Sequence, residues 1–164
     1  MLLPMLEIVT APENFDRWER LLALLTNSFA YMATRVDPPS SMKRLDLQSL
    51  RAKAQQETLI IGLSDGEPLA CAFAKKSPPV LYVGKVAVHE QLRGQGVARR
   101  VFEAAETLAR AQDLDYLELQ TRVELVENHR TFAALGFDKY AETAHEGYLR
   151  PTSITMRKRV VRSV

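Results

Sequence analysis

The amino-acid sequence predicts a mixed α/β (α+β) fold in which a mostly antiparallel central sheet of about seven strands is flanked by about four helices. Three observations carry this prediction. Three strand-like runs between residues 58 and 88 are separated by Asp65-Gly66 and by Ser77-Pro78-Pro79, the pattern of an antiparallel meander. A long amphipathic pattern at 97–111 then leads to a short apolar strand at 116–120. A strand–helix–strand unit of this kind needs a crossover, most simply between parallel strands. Two helical patterns precede this unit, and a third follows it with two further strands.

In chain order, a first strand is expected at residues 6–10. Thr10-Ala11-Pro12-Glu13 has capping-box spacing with a proline in the first turn, so a helix should start there. Phe15, Trp18, Leu21, Leu22, Leu25 and Phe29 repeat at helical spacing and predict its core-facing stripe. Pro38 and Pro39 keep residues 36–41 from being helical, and a second, more polar helix is expected at 46–57. The meander strands are expected at 58–64, 67–75 and 80–88. In the helix at 97–111, Val97, Val101, Ala104, Ala105 and Leu108 lie along one face. A short strand at 116–120, a short helix at 127–135, a strand opened by Gly136-Phe137 and a last strand at 153–159 complete the order. No linker, repeat or low-complexity stretch interrupts it, so residues 1–164 read as one domain.

Composition narrows the functional classes. Apolar residues make up 46% and charged residues 26%, as in ordinary globular domains. A formal charge of +2 is too small to argue for a nucleic acid or a membrane surface as partner, and the basic residues gather locally at 93–100 and 157–162. The single cysteine, Cys71, excludes an internal disulfide and a cysteine-based zinc cluster, and reads as a buried thiol. The opening MLLPMLEIVT lacks a cationic start and carries Pro4 and Glu7, unlike a signal peptide. No apolar run reaches the ~18 residues of a membrane span, and a cytoplasmic chain is expected. His89, His129 and His145 lack ligand spacing, so no metal is expected.

The stretch KVAVHEQLRGQGVARR places two glycines and three arginines where a strand becomes a helix. The first four N–H groups of a helix lack intrahelical partners, and the helix dipole adds partial positive charge there. Glycines let the backbone close around an anion, and Arg93, Arg99 and Arg100 would favour phosphate oxygens. The alternative is a plain tight turn with solvated arginines. The stretch is neither a Walker loop nor a dinucleotide fingerprint, because Lys-Ser/Thr and the third glycine are missing.

Arg93-Gly94-Gln95-Gly96-Val97-Ala98, directly after Val86-Ala87-Val88, resembles the central signature of the GCN5-related N-acetyltransferase (GNAT) superfamily. A second register, Gln91 to Gly96, also fits, and the first is preferred for its distance from Val88. The Asn128…Phe132…Leu135-Gly136-Phe137 segment is similar to the family's later motif, and the element order matches along nearly the whole chain. The resemblance implies a splayed parallel strand pair forming a cleft for the cosubstrate, acetyl-CoA. It implies that the amides of Gly94, Gln95, Gly96, Val97, Ala98 and Arg99, with Arg93, hold the pyrophosphate. Main-chain groups of Val86, Ala87 and Val88 would pair with the pantetheine arm, and an amide near Val86 would polarise the acetyl carbonyl. Asn128 resembles the residue that hydrogen-bonds the arm, with Phe132 nearby; capping the short helix is the other reading of Asn128.

Acyl transfer to an amine needs the unprotonated amine. At pH 7 a lysine-like amine is neutral in roughly one molecule in a few thousand, which costs about 4–5 kcal/mol. Glu118, between Leu117 and Leu119, is the candidate base, and pairing with a cation across the sheet is its alternative role. The family often supplies a tyrosine as general acid where Phe132 stands, so water, another group or weak catalysis must replace it. Tyr82, Tyr140 and Tyr148 are the substitutes considered.

The acceptor cleft is expected between residues 29–41, with Tyr31, Arg35 and Asp37, and residues 144–151, with His145, Glu146, Tyr148 and Arg150. A plain surface loop is the alternative for His145. The partners implied are acetyl-CoA or CoA and an unidentified primary amine, either a small molecule or a peptide. An acyl-CoA-binding regulatory module with weak or no catalysis is the alternative function, and a nucleotide-binding domain that borrows only the turn is a third. The strand at 154–161 reads either as a homodimer interface or as an edge covered within one chain.

Overall fold

Three alternating strands joined by tight turns form the centre of a seven-stranded sheet in a computed structural model that describes residues 5–162. Residues 1–4, with Pro4 and the start of the opening read above as unlike a leader, lie outside the described residues. The strands are β1 (Glu7–Thr10), β2 (Thr58–Ser64), β3 (Glu67–Ser77), β4 (Val80–Val88), β5 (Tyr116–Arg122), β6 (Asp138–Thr143) and β7 (Ser153–Arg159). The helices are α1 (Trp18–Phe29), α2 (Leu47–Gln56), α3 (Val97–Ala111) and α4 (Val126–Ala134), with short 3₁₀ turns at Ala30–Met32, Ser41–Arg44 and Glu90–Leu92. The sheet order is β1-β2-β3-β4-β5-β7-β6; only β4 and β5 run parallel.

Local chemistry explains the well-placed elements. Asp65 and Gly66 adopt φ of 48° and 77°, the left-handed pair whose twist matches a two-residue hairpin. Asp46 caps α2: its carboxylate accepts from Ser49 N at 2.8 Å, and Ser49 Oγ accepts from Asp46 N at 2.9 Å. Alternation then sorts strand residues into two layers. Ile60, Ala72, Leu81, Leu117 and Leu119 pack with Val101, Phe102 and Ala105 of α3. Leu59, Ile61, Cys71 and Phe73 pack on the other face against Leu21 and Leu25 of α1 and Leu50 of α2. Full burial pushes the Cys71 thiol up to about 12, so it behaves as an apolar core group.

Two expectations are overturned. The first helix begins at Trp18, not at the box formed by Thr10 and Glu13. Ala11 N donates to Leu59 O at 2.8 Å, which prolongs the β1–β2 ladder, and Ala11 and Asn14 take φ of 52° and 58°, incompatible with an α-helical turn. The C-terminal strand is not a covered edge. It is an interior strand, paired with β5 from Tyr116↔Arg159 to Arg122↔Ser153 and with β6 on its other side.

Candidate active site

The parallel pairing of β4 and β5 ends after three rungs, Val80↔Tyr116, Leu81↔Leu117 and Tyr82↔Glu118. Beyond Tyr82 and Glu118 the two strands part, and a cleft of ≈ 480 Å³ opens between them. One wall is β4 from Val83 to Val88, and the other is Leu119, Gln120 and Thr121 of β5. Phe29, Tyr31 and Met32 close it from the α1 side, and Asn128, Thr131 and Phe132 of α4 close it from the other.

At one end of the cleft lies the glycine turn. Gly94 and Gly96 have φ of 77° and 80°, and a Cβ on either would meet no atom within 4 Å. The glycines therefore serve backbone direction and open space, not close packing. Intrahelical bonding of α3 starts with Arg100 N donating to Gly96 O at 3.2 Å. Among the described residues, the amides of 94–99 have no backbone partner, which leaves a set of donors at a helix N-terminus. Gln95 Nε2 closes the turn onto Gln91 O at 3.0 Å, and Val97 anchors it in the core. Arg93 lines the cleft with Ala98. Arg99 donates to Ala134 O at 3.5 Å, and Arg100 turns away to Leu6 O at 2.8 Å, so it is not one of the turn's cations. The donors and open space suit a diphosphate. His89 is half-buried, and its Nδ1 accepts from Gln91 N at 3.1 Å.

In the middle of β4 a bulge sets Lys85 and Val86 opposite Ala72 alone, between the pairs Phe73↔Gly84 and Cys71↔Ala87. Lys85 has φ of 51°. Val86, Ala87 and Val88 follow along the cleft wall. Asn128 does not cap α4, whose N-cap is Leu125; its Nδ2 donates instead to Tyr31 Oη at 3.2 Å. Phe132 stacks edge-on with Phe102 and Phe137, at centroid distances of 6.0 and 6.2 Å, and contributes an apolar cleft wall.

The proton-transfer candidates sit beside the cleft, on the face of the sheet opposite α3. The side chain of Glu118 is 17% exposed, and its Oε2 accepts from Arg157 Nε at 2.7 Å. Arg157 is itself stacked on Tyr140, 3.6 Å from the ring centre. Burial, and then the Glu118 charge, push the Tyr82 phenol up. Among the described residues, Tyr31 is the tyrosine that lines the cleft.

The other acceptor residues are brought together differently from the expectation. Arg35 grips Glu127 with both nitrogens, one at 3.0 Å, and that bond above all holds the Glu127 carboxyl at about 2. Tyr148 donates to Asp37, Arg150 pairs with Asp37 at 3.2 Å, and Arg122 donates to Pro38 O at 2.8 Å. These contacts tie residues 35–39 to the β6–β7 loop and to the end of β5. His145 bonds Thr152, N to Oγ1 at 2.8 Å. Arg35, Tyr148 and His145 thus build the rim and do not line the cleft.

Among the cleft residues that sequence reasoning missed are Lys85 and Thr121. Thr121 is 7% exposed, lines the cleft, and its Oγ1 has no hydrogen-bond partner. The alternation Leu117, Leu119, Thr121 was the signal for it. Among the described residues no cluster of His, Cys, Asp and Glu is placed to hold a metal, and no helix is long and apolar enough to cross a membrane.

The sequence model of the acetyltransferase (GNAT) family matches residues 18–137. Among solved structures, an acetyltransferase from Streptococcus agalactiae 2603 is 17% identical over 94% of this chain and 98% of its own, with a TM-score of 0.72. IAA acetyltransferase from Bacillus cereus ATCC 14579 is 16% identical over 94% and 99% of the two chains, with a TM-score of 0.65. The ribosomal-protein-S18-alanine N-acetyltransferase from Escherichia coli is 16% identical over 98% and 97%, with a TM-score of 0.63. At these identities the likeness is one of fold. No curated protein sequence matches the chain at a significant level.

Proposed function

Because the chain belongs to the acetyltransferase (GNAT) family, we propose that it transfers an acetyl group from acetyl-CoA to a primary amine by direct attack within a ternary complex. The observation that carries this reading is the parting of β4 and β5 after Tyr82 and Glu118, with unpartnered amides at one end of the opening and the bulge at Lys85 and Val86 in its wall. The amides of residues 94–99, with Arg93, bind the pyrophosphate. Main-chain groups of Val86 and Val88 then extend the sheet onto the pantetheine arm, as an added strand would. Asn128 holds a polar group of the arm, and Phe132 and Leu119 keep water out. An amide near Val86 donates to the carbonyl oxygen, where negative charge grows during attack.

Two groups move protons in this reading. Glu118, at the last paired rung, takes the amine's proton through a water, with Arg157 fixing the orientation of its carboxylate. Tyr31, whose hydroxyl accepts from Asn128 within the cleft, gives a proton to the leaving thiolate in place of the tyrosine that Phe132 lacks. The replacement at Phe132 also supports a second reading, an acyl-CoA-binding module without catalysis. Calorimetry with CoA, followed by thiol release from acetyl-CoA against a panel of primary amines, tests both. Binding with release supports transfer, binding without release supports the module, and no binding overturns both.

A further inference from the structure

Lys85 stands at the first position of the β4 bulge with φ of 51°. Glycine takes that position without a steric penalty, whereas a lysine there is strained by its Cβ. Its side chain is half-buried and lines the cleft directly beside Val86. The ammonium donates to Ser41 Oγ at 3.0 Å, a neutral partner, and enters no ion pair among the described residues. Two charged groups act on it: Lys53 of α2, a like charge, and Glu57 just after that helix, whose carboxylate already pairs with Lys53 at 2.8 Å. Farther along the sheet, Glu118 is engaged by Arg157. Burial first, and Lys53 next, hold the Lys85 ammonium below the usual lysine range, as expected of a cation short of a counter-ion.

A strained cation without an anion, one residue from the acyl position, is a binding group waiting for a charge of opposite sign. We infer that the acceptor is a small amine bearing a carboxylate within a few bonds of its nitrogen, an amino acid in class, and that Lys85 with Ser41 binds that carboxylate. The inference rests on the acetyl transfer proposed above. An amine entering between Ser41 and β4 has to bring its nitrogen to the carbonyl near Val86, and a carboxylate a few bonds behind it then falls at Lys85. A protein N-terminus has an amide at that place and gains nothing from the cation. Lys85 is here a specificity-determining residue, not a proton carrier.

The test compares L-amino acids with the matching amino-acid amides as acceptors, by kcat/KM and by calorimetric titration into CoA-saturated protein. In the wild type the acids are expected to exceed their amides at least tenfold in both readouts. Lys85→Met should bring the acid-to-amide ratio to near one, and Lys85→Arg, which keeps the charge, should restore most of it. Because the readout is a ratio within one protein, partial damage to folding does not imitate it. Transfer to amines with no preference for acids, or a ratio unchanged in Lys85→Met, overturns the inference and leaves the proposed transfer standing. Failure of every amine to release thiol overturns both.

Discussion

Asn128 on α4 donates to the phenol oxygen of Tyr31, 3.2 Å away in the 3₁₀ turn after α1, and so joins two walls of the cleft by one hydrogen bond. The two partners have separable consequences. Tyr31→Phe removes the hydroxyl assigned to the leaving thiolate, so kcat for acetyl transfer should fall by about two orders of magnitude while CoA affinity changes little. Asn128→Ala removes a donor to the arm, so CoA affinity should fall about tenfold. Steady-state kinetics paired with calorimetry separates them; equal loss of kcat in both variants would remove the special role of Tyr31.

Gly96→Ala isolates the amide cradle. The new methyl group meets nothing in the folded chain, so its only cost to folding is the left-handed φ of 80°, roughly 1–2 kcal/mol. It does stand in open space at the turn whose amides are unpartnered. CoA binding measured by calorimetry should therefore weaken at least tenfold, with denaturant unfolding showing only the smaller loss. Unchanged affinity would move the pyrophosphate elsewhere.

Glu118 acting as proton acceptor predicts a specific change in pH dependence. The wild type should reach full kcat/KM at a lower pH than the free amine's titration allows, because the carboxylate accepts the proton as attack begins. In Glu118→Gln the profile should move to higher pH and follow the neutral fraction of the amine. A profile that does not move would leave Glu118 as the structural partner of Arg157.

The elements that were legible in the sequence are those whose burial pattern is local. Ile60 and Ile61 face opposite layers because neighbouring strand residues must, and Asp65-Gly66 turns the chain because both residues tolerate positive φ. The box at Thr10 and Glu13 failed because a ladder bond from Ala11 to Leu59, a partner far along the chain, outcompeted a local cap. The place of β7 between β5 and β6 was equally hidden, since strand order is decided by pairing between distant segments. For the site, the glycine turn could be read because its donors come from consecutive residues. Tyr148 was named but its bond to Asp37, which turns it to the rim, could not be read, because the two lie 111 residues apart. Lys85 went unread, although Gly84 just before it, a glycine inside a strand pattern, was the available sign of the bulge.

Glu106 supplies a prediction independent of function. This buried carboxylate on α3 accepts from Val161 N at 3.0 Å and from Lys158 at 3.2 Å, holding the chain after β7 onto the helix. Burial alone would raise its proton affinity, but those bonds and the charges of Lys158 and Arg110 hold it below the usual carboxylate range. A depressed value in the folded state stabilises fully above the ordinary carboxylate range and is lost as pH falls through it toward the depressed value. Glu106→Gln should be about 1–3 kcal/mol less stable at pH 7 by denaturant unfolding, with the gap closing in acid. A gap that widens in acid would contradict the assignment.

Lys85→Gly sets stability against selectivity at a single residue. Relief of the left-handed φ returns roughly 1–2 kcal/mol, and the freer unfolded chain of a glycine takes back about 0.5–1 kcal/mol. The variant should therefore unfold at the same denaturant concentration as the wild type or slightly above it. Its preference for amino acids over their amides should nevertheless disappear, because the ammonium beside Ser41 is gone. A lysine kept only for packing would show the reverse, a fall in stability with the acid-to-amide ratio intact, and measuring both quantities on the same preparation decides between the two.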